Sequence, residues 1–98
     1  MSKRVDKLKE AVEMMHECRT EHRESIRVFE MCGGQKVWGG LVEAFALLGH
    51  PEAKYCYAWS FDDNGQPRHM AVLELPPVDS AQAAVKVGVA HQIRKARN

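Results

Sequence analysis

Cys18 and His22 stand four residues apart, a spacing that brings both side chains to one zinc ion when they share a helix face, with Glu17, Glu21 or His16 as a further ligand. A closed structural site needs four ligands, and no second Cys/His pair follows at motif spacing. An ordinary helix face accounts for these residues, and no metal is expected. His50, just ahead of Pro51, is the other candidate for chemistry, as a general base on a loop with Glu43, Glu74 or Cys56 as its partner. A histidine in a tight turn more often bonds to nearby backbone, and no nucleophile elbow, P-loop or dinucleotide fingerprint accompanies this one. No set of nucleophile, base and oxyanion donors can be assembled, so neither a catalytic residue nor a cofactor is expected.

The aromatic residues offer a binding surface instead. From Lys54 to Phe61 the chain alternates strictly, placing Tyr55, Tyr57, Trp59 and Phe61 on one face of a strand and Cys56, Ala58 and Ser60 on the other. Such a face, with Phe45, Met70 and His50 nearby, can hold a protein partner or a small apolar ligand. It can also stack nucleic-acid bases, with Lys54 and Arg68 beside it and Arg94, Lys95 and Arg97 at the basic end of the chain to meet phosphates. An RNP motif and the lysine cluster of a double-stranded RNA binder are both missing, and core aromatics give the same alternation. Nucleic-acid binding is therefore the second reading.

The elements that must position these residues follow from periodicity. Val5, Leu8, Val12 and Met15 form the stripe of an amphipathic helix, with Ser2 as its cap, and we expect that helix to end near Arg23. Ser25 to Met31 reads as a short strand, although the same phase runs on through Ile26 and Phe29 and leaves one long helix to Gly33 as a competitor. Gly33-Gly34 supplies the positive φ of a hairpin turn. Lys36 to Leu48 reads as a long strand with a bulge at Gly39-Gly40. Asn64-Gly65 signals a tight hairpin between the aromatic strand and Arg68 to Leu75, a register that sets Trp59 opposite Met70 and Tyr57 opposite Val72. Whether Phe45 and Leu47, or Ala44 and Ala46, join the aromatic face depends on the parity of the loop after Leu48. Beyond Pro76-Pro77, Asp79 or Ser80 caps a second helix, Gln82 completes a capping box, and Ala81, Val85, Val89 and Ile93 line one side.

The order α-β-β-β-β-α over 98 residues indicates a single α+β domain, with a four-stranded antiparallel sheet and two helices on one face. Helices on one face leave the other uncovered, and a homodimer is the expected use of that surplus apolar surface. The formal net charge of +1 hides basic ends and an acidic middle. No apolar run reaches the roughly 20 residues of a membrane span, the charged start lacks a signal-peptide core, and three cysteines without a Cys-x-x-Cys pair fit reduced thiols. No membrane association is expected, and the expected compartment is the cytoplasm.

The run Val37-Trp38-x-Gly40-x-Val42-Glu43-x-Phe45-x-Leu47-x-Gly49-His50-Pro51-x-Ala53-Lys54-x-Cys56-Tyr57-Ala58-Trp59, followed by Leu73-Glu74-x-Pro76-Pro77-Val78-x-Ser80, resembles a group of small uncharacterised bacterial proteins. These come from accessory and mobile genome regions, some carried on integron-type gene cassettes. The likeness covers roughly the C-terminal two-thirds of the chain. It implies a bacterial, cytoplasmic protein and carries over no catalytic residue.

Overall fold

A computed structural model describes residues 3–63 and 65–97. The elements run α1 (Lys3–His16), β1 (Arg19–Cys32), β2 (Gln35–Leu48), β3 (Tyr55–Asp63), β4 (Gln66–Leu73) and α2 (Ala81–Arg97). The fold is α+β with two helices and an antiparallel sheet, and the strands lie side by side in the order β1-β2-β3-β4. Ser2 and Asn64 lie outside the described residues, as do the side chains of Ile93, Arg94, Lys95 and Arg97.

The first helix is shorter than its periodicity promised, and the first strand longer. Glu17 takes a left-handed backbone with φ of 50°, which closes α1 two residues before β1 begins. The Glu13 carboxylate then accepts the Thr20 N–H at 2.8 Å and the Thr20 hydroxyl at 3.2 Å, fastening the last turn of α1 to the first residues of β1. The residues between Arg19 and Glu24 are charged and polar, so their strand pairing carries little apolar signal. That pairing comes from the opposite strand, where Ala44 to Leu47 supplies a buried template.

β1 and β2 form a long ribbon closed at Gly33-Gly34, both at positive φ. Gly39 and Gly40 sit in the regular ladder opposite Phe29 and Val28, so they are not the bulge. The register shifts instead between His22 and Glu24 and between Glu30 and Met31. A β-carbon on Gly39 would lie 2.8 Å from the Phe29 ring, so the glycine provides the seat on which that ring rests.

β3 and β4 form the second ribbon, with Trp59 opposite Met70, Tyr57 opposite Val72 and Ala58 opposite Ala71, the register that the Asn-Gly turn requires. Among the described residues, the two ribbons pair from Glu43 opposite Ala58 to Ala46 opposite Tyr55, and the Leu47 N–H donates to the Lys54 carbonyl at 2.8 Å just beyond. Ala44 and Ala46 therefore share the aromatic face, while Phe45 lies opposite Cys56 on the other.

Each face has its own helix, and the expectation of two helices on one face is overturned. Val5, Leu8 and Val12 of α1 pack on Phe45, Leu47, Cys56 and Ala58. Ala81, Ala84, Val85 and Val89 of α2 pack on Val28, Val42, Ala44, Tyr57 and Trp59 on the opposite face. Both faces carry enough apolar surface to hold a helix, and each helix has a stripe wide enough for one face only. The surplus face from which a homodimer was argued is therefore occupied by the chain's own helix.

α2 starts at Ser80, whose hydroxyl accepts the Ala83 N–H at 3.2 Å. Asp79 is not the cap, and Gln82 does not close a capping box. Its side-chain amide donates to the Phe29 carbonyl at 2.9 Å, tying the helix to β1. The helix reaches the sheet through Gly88, where a β-carbon would lie 2.6 Å from the Trp59 ring. Helix propensity alone favours alanine over glycine by about 1 kcal/mol. We expect Gly88→Ala to lose roughly 1–3 kcal/mol because α2 must lift from Trp59. Chemical denaturation reads the sign, and a more stable variant would contradict this packing.

Candidate functional site

α2 covers the end of the aromatic face that holds Trp59 and leaves the end near Tyr55 open. There the sheet forms a groove of about 470 Å³. Its apolar lining is Ile26 of β1, Ala44 of β2, and Tyr55 and Tyr57 of β3. Small side chains at Ala44 and Ala46, opposite the two tyrosines, give the groove its depth. Its polar lining is Arg23 and Glu24, at the first register shift of β1, and Glu74, just beyond β4. The shift inserts an extra residue, so two consecutive side chains of β1 line one groove where regular pleating would turn them to opposite faces.

Tyr57 is nearly buried, and its hydroxyl donates to Glu74 Oε2 at 2.5 Å. Burial pushes the Tyr57 phenol well above its ordinary value, and the hydrogen bond to Glu74 and the negative charges of Glu74, Asp79 and Glu24 push it the same way. It is a neutral donor at any physiological pH. The Glu74 N–H donates in turn to the Tyr55 carbonyl at 2.9 Å, which extends the pairing of the two strands to the groove wall.

A second polar cluster lies on the other face, beneath α1. Glu43 has no exposed side-chain surface. Its Oε1 meets His22 Nε2 at 2.7 Å and accepts the Ser25 hydroxyl at 2.5 Å, and its Oε2 lies 2.7 Å from the Arg4 guanidinium. Burial alone would raise the Glu43 pKa; the bonds from Ser25, Arg4 and His22, with the Arg4 charge, more than reverse it and hold the carboxyl below its ordinary value. Ser25 and His22 both bond to the same carboxylate oxygen, so the cluster fixes a charge and does not align a nucleophile with a base. It anchors the start of α1 to β1 and β2.

The other candidates are scattered. Cys18 lies in the bend after α1 and His22 within β1, so the helical spacing on which a shared zinc ion depended is not present. Among the described residues, no group of three or more His, Cys, Asp or Glu side chains is placed to hold a metal ion. His50 Nδ1 accepts the N–H groups of Glu52 at 3.1 Å and Ala53 at 3.0 Å, the local turn role of a histidine before proline. His16 meets the His50 ring edge-on at 6.0 Å, and burial first, then His50, holds its pKa below the ordinary value. Cys56 is fully buried, and burial pushes its thiol up to about 12, which removes it as a nucleophile or as a partner for His50.

Of the residues read as a binding face, only Tyr55 and Tyr57 line the groove. Trp59 and Phe45 are fully buried in opposite cores, Met70 is half-buried against α2, and His50 lies in the β2–β3 loop. Lys54 and Arg68 are exposed at different ends of β3 and β4. Arg23 and Glu24 were missed because β1 was started too late, whereas Ile26 and Ala44 fell in expected strands, Ala44 as one of the two options for the aromatic face. The signal for the missed pair was the alternation of Glu24 with Ile26, in the phase that faces Ala44.

Set against protein-family models, curated proteins and solved structures, the chain finds no match in any of the three comparisons.

The Glu43 cluster makes a pH prediction. Because the folded carboxyl titrates below its unfolded value of 4.5, its contribution to stability is complete above that value and is lost as pH falls through the lowered one. Glu43→Gln should cost roughly 1–3 kcal/mol at pH 7, with a gap to wild type that narrows steadily in acid below 4.5. Urea melts across a pH series measure it. A gap of constant size would show that the charge is not what the cluster holds.

Proposed function

We propose that the protein is a binding module and that its ligand is a small molecule, part of it apolar, held in the groove between β1 and the two tyrosines. The observation that carries this reading is the groove itself, a concavity of about 470 Å³ floored by Ile26, Ala44 and tyrosine rings where α2 leaves the aromatic face open. Ligand sites are typically concavities of several hundred Å³ with an apolar floor and a few fixed polar groups. Here the fixed polar groups are the Tyr57 hydroxyl and the Glu74 carboxylate, locked to each other before any ligand arrives. Preorganisation of that kind lowers the ordering cost of binding.

The nucleic-acid reading draws less support. Trp59, the largest ring of the presumed stacking platform, has no exposed surface, and the groove walls carry Glu24 and Glu74, which repel phosphates.

Amide-resolved NMR of the full chain with a library of small neutral apolar fragments tests the proposal. Shifts are expected to converge on Ile26, Ala44, Tyr55 and Tyr57, and Ala44→Leu, which fills the floor, should weaken binding at least tenfold. Fragment shifts confined to other surfaces, or none at millimolar concentration, would overturn it.

A further inference from the structure

The groove's charge goes further than its shape. We propose that its ligand carries a protonated amine beside its apolar part. The inference rests on the small-molecule reading above and adds to it the chemical class of the ligand.

Two of the lining residues are carboxylates, Glu24 and Glu74, approaching from opposite sides of the floor. Asp79 lies near enough to add its field at the Tyr57 hydroxyl, so three carboxylates act on the same corner. Arg23 is the only cation among the lining residues, and its guanidinium lies 3.5 Å from Glu21, a residue outside the lining. The Tyr57 bond occupies Oε2 of Glu74 and fixes the carboxylate in place, which leaves its other oxygen to accept. An ammonium brings three N–H donors and a positive charge to that setting, and it is also attracted to the faces of Tyr55 and Tyr57. A carboxylate or phosphate ligand would meet repulsion from Glu74 and Glu24, offset in part by Arg23, which is drawn toward Glu21. A neutral ligand would use the floor and leave the charges idle.

The test uses three probes of one shape and different charge: phenylpropylamine, phenylpropanol and phenylpropionate. Each is titrated into the full chain at neutral pH and low salt, by calorimetry and by amide NMR. The amine should bind about tenfold or more tighter than the alcohol, the carboxylate weakest, and added salt should weaken the amine alone. Glu24→Gln and Glu74→Gln should each shrink the ratio of amine to alcohol affinity, read within each variant. Glu24 is exposed, so its variant keeps the fold. Equal binding of amine and alcohol at the groove would overturn the charge inference and leave the groove reading standing. Failure of every probe would remove both. Binding of a lysine-bearing peptide while the free amine fails would overturn the inference in favour of a protein partner.

Discussion

Among the described residues, four residue pairs, from Glu43 with Ala58 to Ala46 with Tyr55, and the Leu47 N–H bond to the Lys54 carbonyl just beyond them make the backbone junction between the two ribbons, and its register decides what each face of the sheet contains. Successive side chains point to opposite faces, so a slip of one residue would exchange Phe45 for Ala44 and Ala46 beneath the tyrosines. In the observed register the small residues lie opposite the large rings. The groove is the space that this pairing leaves, and the seat of α1 is the surface that Phe45 fills on the other side. Both helices follow from the same pairs. Outside them the ribbons are held together by packing, with Trp38 and Trp59 5.8 Å apart between centroids beneath α2.

Such a short junction has to be held in register by something stronger than small apolar contacts. Glu43 supplies it from within the junction itself, since it is both the partner of Ala58 across the ribbons and the acceptor for β1 and α1. Moving the strand by one residue would carry a charged group into the α2 core, away from Arg4, His22 and Ser25. A buried ion pair adds little net stability over an apolar one, but it penalises alternatives heavily because a lone buried charge has no other partner there. The polar cluster on one face thereby protects the geometry of the groove on the other.

The second half of the chain was legible because its punctuation is strong. Asn64-Gly65 set the register of β3 on β4, the proline pair ended the strand run, and the stripe of Ala81, Val85 and Val89 marked a helix that is present and buried where expected. The first half was less so. Glu, Arg and His between positions 19 and 24 read as helix surface, and only the buried template of β2 makes them strand. The covering of the second face was also hidden, because an amphipathic stripe shows that a helix needs a face and not which one. The groove inherits both difficulties: two of its polar residues come from the misread start of β1, and its outline is set by where α2 stops.

The bond from Gln82 to the Phe29 carbonyl has a consequence for how this chain behaves in a crowd of its own kind. β1 is an outer strand fourteen residues long, with Phe29 and Met31 exposed along it, and such an edge is a template onto which another copy can add and start a fibril. Three things interrupt that template. The shift at Arg23 bends the strand, the charged run from Glu21 to Glu24 resists stacking on itself, and Gln82 consumes a carbonyl that a newcomer would need. The helix that shapes the groove also guards the sheet against self-templated growth, so solubility and ligand geometry are tied to the docking of the same seventeen residues.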